Sequence, residues 1–261
     1  MLLPETRAGE PSREFLLCVR DEAPRVIAAA SFRHSSEVVI DLRIHVIPSF
    51  RRRGIGRQVV AYLARGGARA VSGTVDMNHQ HDAAAFCEAV GFHCVDTLTT
   101  VEAEMAEMRE YLRRLCTRRP ATAQIVPLSS VPAAQVALLH TRYVAHQTDS
   151  NPWRALLTNP GDLEGSVAAL IDGSVAGALL GELEGETAVV RSRVAAPGPH
   201  AAWVNALLLA EAVEGAWSRG ARRVRFTYNS SNRDTQKLAR RFRSQIAEVV
   251  ALFTLPASSQ A

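Results

Sequence analysis

Arg51-Arg52-Arg53-Gly54-Ile55-Gly56-Arg57 is the stretch of sequence that decides the fold of this 261-residue chain. The apolar run Val38–Pro48 before it predicts a strand, and Gln58–Ala64 after it predicts the first turns of a helix. The first N–H groups of a helix have no partner inside the helix, and the helix dipole favours negative charge beside them. Gly54 and Gly56 let a ligand approach the backbone, while the arginines supply permanent, forked positive charge. The stretch therefore predicts a site for an anion of the phosphate kind.

The spacing of the glycines narrows the class of loop. No Gly-Lys-Ser/Thr follows, as a Walker A loop requires, and the third glycine of the dinucleotide fingerprint is missing. The stretch resembles the pyrophosphate loop of the GNAT acyltransferase superfamily, Arg/Gln-x-x-Gly-x-Gly/Ala, with matches at Arg51, Gly54 and Gly56. This resemblance implies that the loop holds the diphosphate of coenzyme A and that a Cβ at Gly56 would block it. The residues carried over as coenzyme-binding are Arg51, Arg52, Arg53, Gly54, Ile55, Gly56 and Arg57.

A second motif lies downstream, in the order that the same family has. After a predicted strand at Val71–Met77, the segment Gln80–Phe92 resembles the family's helix Asn-x-x-Ala-x-x-Phe-Tyr-x-x-x-Gly-Phe. The matching positions are Ala83, Phe86, Gly91 and Phe92. A glycine followed by an apolar residue is also an ordinary helix ending, so the order and spacing of the two motifs together carry the resemblance.

Two positions of this helix depart from the family pattern. Gln80 stands where the family has Asn, and it is carried over as a coenzyme-binding residue. Cys87 stands where the family has the Tyr that often protonates the leaving thiolate. A thiol with a pKa of about 8.5 is able to donate that proton, or Cys87 is simply a small apolar residue on a packed helix face. His79 and His81 flank the motif as further titratable groups or as solvated loop residues.

The resemblance also implies chemistry on the strand before the loop. In the family this strand offers a backbone N–H group to the thioester carbonyl, and the matching residue here is Val46. A base on the strand accepts the proton of the amine, but its most usual position corresponds to Leu42, which cannot serve. Asp41 and His45 are the titratable candidates, and alternation places both on one face unless a bulge intervenes.

The order of predicted elements indicates an α/β (α+β) fold with two GNAT-like domains, each a mixed, mostly antiparallel central sheet flanked by helices. We expect an N-terminal domain that binds acyl-CoA at residues 1–100, a linker helix within 101–120, and a degenerate C-terminal domain at 121–261. A helix-Gly-Ala-Arg-strand pattern in both halves, at Arg65–Val71 and Arg219–Val224, supports an internal repeat.

The two halves are not equivalent in their predicted chemistry. In place of the arginine-rich loop, the second half has Val194–Trp203, which contains two prolines and lacks the arginines. We therefore expect the second domain to keep the fold but to bind coenzyme A poorly or not at all. The family usually has a strand and two helices ahead of its first hairpin, which residues 1–13 are too short to supply. The segment Pro132–Trp153 is the expected substitute in the wall of the acceptor pocket.

Composition bounds the class of protein. The formal net charge is +4 and the calculated pI about 9.2, with 47% hydrophobic and 21% charged residues, as in an ordinary soluble protein. No apolar run approaches a membrane span and no secretory signal is visible, so we expect a cytoplasmic protein without a membrane partner. The four cysteines lie apart without a CxxC pair, and no ligand set has metal spacing, so neither disulfides nor a metal are expected.

Together these observations predict an acyl-CoA-dependent N-acyltransferase, with acetyl-CoA as the expected donor and coenzyme A as the released co-product. The acceptor is expected to be an amine of a small molecule or a peptide, which attacks the thioester directly in a ternary complex. Two alternatives stay open: an aminoacyl-tRNA-dependent transferase of tandem fold, and a non-catalytic acyl-CoA-binding protein. The intact loop argues against the tRNA alternative, and basic runs without interleaved aromatic residues do not favour nucleic acid. Association into a homodimer through sheet edges also stays open.

Overall fold

A computed structural model describes residues 13–23, 25–35, 38–65, 70–116, 123–139, 165–198 and 200–256. Its strands are β1 Arg13–Arg20, β2 Val26–Ser35, β3 Val38–Val46, β4 Ala70–Asp76, β5 His93–Glu104, β6 Ala123–Pro127, β7 Val167–Ile171, β8 Ser174–Glu184, β9 Thr187–Ala195, β10 Arg223–Asn229 and β11 Gln245–Pro256. Its helices are α1 Ile55–Arg65, α2 His81–Ala89, α3 Met105–Leu115, α4 Ala133–Leu139, α5 Ala201–Ser218 and α6 Arg233–Arg241, with 3-10 turns at Pro48–Phe50 and Leu128–Ser130.

The chain divides into two compact units. The described residues up to Thr99, together with those from Glu248 onward, form unit 1, and those between Thr100 and Ala247 form unit 2. The boundary after Thr99 lies within one residue of the expected end of the N-terminal domain. The C-terminus differs from the expected division, because most of β11 belongs to unit 1 rather than to the second domain.

Unit 1 is built on a sheet with the strand order β1-β2-β3-β4-β11-β5. The first three strands form an antiparallel meander, β3 pairs with β4 in parallel, and β4 pairs with β11 in the antiparallel sense. The alternating apolar residues of these strands face one side, where they pack against Val59, Val60 and Leu63 of α1. The same apolar cluster includes Ala84 of α2, so both helices of unit 1 cover this face.

Unit 2 repeats this plan with the strand order β5-β10-β9-β8-β7-β6. The pair β9–β10 is parallel, and β6 to β9 form an antiparallel meander. Helix α5 packs Val204, Leu208 and Val213 into a cluster that includes Leu112 of α3. The two units confirm the predicted α/β (α+β) class, with two mixed, mostly antiparallel sheets flanked by helices.

Two predicted elements have different limits from those expected. The helix expected from Glu102 begins at Met105, because β5 continues through Glu104 with Val101 and Ala103 buried at every second position. The helix expected over residues 132–146 is described as α4 only to Leu139, and the remainder, with the rest of Pro132–Trp153, lies outside the described residues. No helix in the described ranges is long and apolar enough to cross a bilayer.

Candidate functional site

The arginine-rich stretch forms a sharply turned connection between β3 and α1. The 3-10 turn Pro48–Phe50 follows the strand, and Arg52 and Gly54 adopt positive φ values of 64° and 78° before the helix begins. The backbone N–H of Arg51 donates to the carbonyl of Pro48 at 3.2 Å, and its Nε donates to the carbonyl of Val46 at 3.0 Å. These bonds hold the turn against the end of β3, so its shape is fixed by the protein itself.

The same turn presents a run of unused backbone donors. Among the residues that the structure describes, none accepts a hydrogen bond from the N–H groups of residues 52–57. The first N–H group of the helix to find an internal partner belongs to Gln58, which donates to the carbonyl of Gly54 at 3.0 Å. The turn is exposed or half-buried along its length. Free N–H groups that converge at an accessible helix N-terminus are suited to bind an anion.

The arginines of the turn also keep their charge uncompensated. In the described part of the chain, no carboxylate forms an ion pair with Arg51, Arg52, Arg53 or Arg57. The guanidinium of Arg53 lies 5.1 Å from the centre of the Phe50 ring, and that of Arg57 reaches the carbonyl of Ala89 at 3.4 Å. Several arginines of unit 2 each meet a glutamate instead: Arg109, Arg113, Arg191, Arg223 and Arg225. The positive charge of the turn is therefore available to a ligand.

The parallel strands β3 and β4 separate beside this turn. Their ladder joins Val38–Val39 to Ala70–Val71, and no further pair joins them within the described ranges. At the point of separation a Cβ on Gly73 would lie 2.9 Å from the carbonyl oxygen of Leu42, so only glycine fits this close approach. The one hint of this role in the sequence is a glycine inside a predicted strand, which is a known sign of close backbone approach. Beyond it, one edge of β3 is open up to Val46, whose carbonyl the turn contacts.

Asp41 and His45 lie on the exposed face of β3. A bulge opposite Phe32 shifts the register, and Asp41 itself adopts a positive φ of 53°. After this bulge Leu42 points into the core, while Asp41 and His45 are both exposed, so the predicted common face holds. The carboxylate of Asp41 forms an ion pair with Arg33 of β2, a partner that the sequence did not suggest. The catalytic assignment of either residue stays a prediction.

The helix α2 places the second motif. Gln80 is its N-cap residue and is exposed, and its backbone N–H donates to the carbonyl of Asp76 at 2.8 Å. Cys87 is half-buried and packs against the apolar cluster of unit 1. Burial, with a smaller contribution from the carboxylate of Glu88, raises the pKa of the Cys87 thiol, so this group is protonated at neutral pH. His79 contacts the carboxylate of Asp76 at 2.8 Å, and this hydrogen bond lowers the pKa of that carboxyl.

The two glycines of the turn have different structural roles. A Cβ at Gly54 would meet nothing within 4 Å, and its positive φ explains the glycine. A Cβ at Gly56 would lie 2.9 Å from Cζ of Phe86 in α2, so this glycine admits an aromatic ring of the second motif. The two motifs that carry the resemblance are thus in direct contact, which their separation along the sequence does not reveal.

The corresponding connection in unit 2 has a different character. Between β9 and α5 the described residues include Pro197 and Gly198 but no arginine, as the sequence indicates. No group of three or more His, Cys, Asp or Glu side chains within the described ranges is arranged to hold a metal ion.

The strand–turn–helix with free donors, next to a separated parallel strand pair, defines an α/β protein with a candidate anion site at a helix N-terminus. Residues 11–94 match the family described as acetyltransferase (GNAT) domain. The matched residues include both motifs, so the match confirms the resemblance predicted from them for this part of the chain. No curated protein matches the chain.

Solved structures extend this likeness to nearly the whole chain. A tandem GNAT protein from the clavulanic acid biosynthesis pathway has a TM-score of 0.64 at 18% identity, with 96% of this chain and 85% of that chain covered. A GCN5-related N-acetyltransferase from Sphaerobacter thermophilus has a TM-score of 0.61 at 17% identity, with coverage of 93% and 80%. Another from Kribbella flavida has a TM-score of 0.56 at 13% identity, with coverage of 90% and 88%. At these identities the likeness shows the fold, which is that of a tandem GNAT protein.

Proposed function

We propose that unit 1 binds acetyl-CoA and transfers its acetyl group to an amine. The observation that carries this proposal is the run of free backbone N–H groups at residues 52–57, surrounded by arginines without ion pairs. A diphosphate offers enough acceptor oxygens for several such donors and a matching negative charge. In this proposal the GNAT domain at residues 11–94 uses the donor typical of its family.

In this proposal the reaction takes place in the opening between the separated strands β3 and β4. A thioester chain that runs from the turn along the open edge of β3 meets backbone groups near Val46, and an N–H group there stabilises the negative charge that builds on the carbonyl oxygen. The amine nitrogen attacks the thioester carbon, the C–S bond breaks, and the thiolate of coenzyme A leaves. The amine proton passes to a base on β3, for which Asp41 and His45 are the candidates, and Cys87 is the candidate acid that returns a proton to sulfur.

Titration calorimetry with acetyl-CoA tests the donor site. We expect one site per chain, and the double variant Arg52→Ala/Arg53→Ala should bind at least about tenfold more weakly, because each charge-assisted contact contributes about 1.5–3 kcal/mol. The matched control is Arg233→Ala/Arg240→Ala, which removes two exposed charges from α6 and should change the affinity less than about twofold.

Acetyl-pantetheine distinguishes the diphosphate from the rest of the donor. This compound lacks the diphosphate, so its weaker binding should be the same in the parent protein and in Arg52→Ala/Arg53→Ala. Absence of heat with acetyl-CoA, or equal effects of the loop and control variants, would contradict the placement of the donor. Release of free thiol on addition of an amine panel then tests turnover.

A non-catalytic acyl-CoA-binding protein is the second candidate function. It is favoured by the ion pair between Asp41 and Arg33 and by the packing of Cys87 against the apolar cluster, since two of the three candidates for proton transfer then have structural contacts. Acetyl-CoA binding without thiol release for any amine would favour this candidate over the transferase.

A further inference from the structure

Unit 2 has a partly open cavity where its own parallel strands separate. The ladder between β9 and β10 runs from the pair Thr187–Arg223 to the pair Val190–Phe226, and no later pair joins these strands within the described ranges. The cavity, of about 90 Å³, occupies this opening below α5 and α6. One water needs only about 10–15 Å³ of such space, so a small organic molecule fits.

Arg193 lines this cavity and has no partner there. Its side chain is half-buried, and the structure gives its guanidinium neither a hydrogen bond nor an ion pair with any described residue. Burial lowers the pKa of this guanidinium to about 10, and the negative charge of Asp234 opposes this shift to a smaller extent. A guanidinium with this pKa is still charged at neutral pH, and an unpaired charge that is partly withdrawn from water is costly unless an anion neutralises it.

The neighbouring carboxylates are all engaged elsewhere. Glu182 pairs with Arg191, and Glu184 pairs with both Arg191 and Arg225. Glu102 pairs with Arg223 and Arg225. The exposed carboxylate of Asp234 lies 3.4 Å from Nζ of Lys237 on the next turn of α6. Arg193 is therefore the arginine of β9 and β10 for which the described part of the chain provides no carboxylate at ion-pair distance.

The rest of the lining indicates what kind of anion fits. Much of it is apolar, with Met108 of α3, Leu209 of α5 and Phe226 of β10 among the contributors. Two of its polar groups already have partners, because Thr227 shares a hydrogen bond with Thr100 at 2.9 Å and the Asn232 side chain caps α6. One forked cation in an apolar cavity is matched by one carboxylate on an aliphatic body, whereas a phosphate dianion would need further donors.

We propose that this cavity of unit 2 is a binding site for a short aliphatic carboxylate, held in a bidentate contact by Arg193. The site is separate from the arginine-rich turn of unit 1 and does not depend on acyl transfer there. It gives the second unit a ligand of its own, in place of the coenzyme for which it lacks the loop.

Saturation-transfer NMR with butyrate on the full chain, without acetyl-CoA, tests this proposal. We expect saturable binding of butyrate. The signals of n-butanol, which has the same four-carbon chain without the charge, should be at least tenfold weaker. The variant Arg193→Met should lose at least tenfold in butyrate affinity. The matched control Arg191→Met changes an exposed arginine of the same strand that is already paired, and it should change the affinity less than twofold.

Each remaining outcome decides the proposal. No saturable butyrate signal from the parent protein overturns it, and so does displacement of butyrate by equimolar inorganic phosphate. Thermal unfolding provides the second measurement: Arg193→Met should be at least as stable as the parent protein, because it removes an unpaired, half-buried charge. A variant that fails to fold would show that Arg193 has a structural partner and would overturn the proposal as well.

Discussion

At the first turn of α1, the side chain that meets Gly56 belongs to the protein and not to a ligand. A Cβ there would lie 2.9 and 3.0 Å from two carbons of the Phe86 ring, which packs against the core cluster of unit 1. The family pattern attributes both glycines of the turn to close approach by the diphosphate. The structure separates them, since Gly54 is required by its positive φ and Gly56 by an aromatic neighbour.

Gly56→Val should therefore lower the free energy of unfolding, by about 1–3 kcal/mol, because the branched side chain displaces the Phe86 ring. Urea unfolding measures this change, and in a Phe86→Leu background the cost should shrink. Gly215→Val is the matched control, because a Cβ at this helical glycine meets nothing within 4 Å. An unchanged stability of Gly56→Val would disprove the packing role. Weaker acetyl-CoA binding in this variant alone does not locate the diphosphate.

Also at the residue scale, the candidate bases of β3 differ in their contacts. Asp41 is held in an ion pair, whereas the exposed side chain of His45 forms no hydrogen bond or ion pair with a described residue. If the transferase proposal holds, we expect His45→Gln to lower kcat about 10²- to 10⁴-fold with little change in acetyl-CoA affinity. Arg43→Gln, on the same exposed face, should leave kcat nearly unchanged. Loss of turnover in Asp41→Asn but not in His45→Gln would assign the base to Asp41 instead.

At the scale of elements, an ion-pair network joins α3 to α5. The carboxylate of Glu214 forms ion pairs with two arginines of α3, Arg109 and, at 3.0 Å, Arg113. These contacts lower the pKa of Glu214 to about 2, and the hydrogen bond from Arg109 is the largest cause. A carboxyl whose pKa is lowered in the folded state stabilises the protein above its ordinary pKa of 4.5, and this contribution disappears as the pH falls towards 2.

Glu214→Gln should accordingly cost about 0.5–1 kcal/mol at pH 6, a modest value because the side chain is 44% exposed, and almost nothing near pH 2. Urea unfolding of both proteins across this range measures the difference. Glu211→Gln on the same helix forms no ion pair with a described residue and serves as the control. A cost for Glu214→Gln that stays constant with pH would rule out this linkage.

How far the sequence predicts the elements depends on the kind of signal each one carries. Helix α5 was predicted with its observed limits, Ala201–Ser218, because helical periodicity is continuous and Gly220 ends it. The start of α3 was misplaced because Val101 and Ala103 fit either a strand or a helix over so short a run. The bulge at Asp41, the contact of Gly73 with Leu42 and the contact of Gly56 with Phe86 depend on residues distant in sequence, and a local pattern does not contain them.

At the scale of the whole molecule, unit 1 is not contiguous in sequence. Strand β11 lies between β4 and β5, and it pairs with β4 from Val250–Asp76 to Pro256–Ala70. Its residues Ala251 and Phe253 are buried in the core cluster of unit 1. A fragment that ends near residue 118 therefore lacks a central strand of the unit that carries the proposed donor site.

Such a fragment, residues 1–118, should show no cooperative unfolding, because it leaves the ladder of β4 unpaired and the core cluster incomplete. Circular dichroism against urea measures this. The matched control is the same fragment with residues 245–256 attached through a flexible linker, which should recover a cooperative transition. Cooperative unfolding of the bare fragment would refute the need for β11. If the fragment of residues 1–118 does not fold, its loss of turnover follows from the missing β11. Such a loss therefore does not by itself locate an acceptor pocket in the second domain.

The place of β11 also has a consequence for how the chain is made. Unit 1 is complete only when β11 is present, and the ribosome synthesises β11 roughly 140 residues after the end of β5. At about 5–20 residues per second, this is a delay of roughly 7–28 s, during which the edge of β4 that pairs with β11 stays unpaired. The second unit, from Thr100 to Ala247, emerges as an uninterrupted segment and is free to fold during translation. The second unit is thus expected to complete its sheet before the first, although it is synthesised later, and the first half of the polypeptide is expected to expose its apolar face for longer.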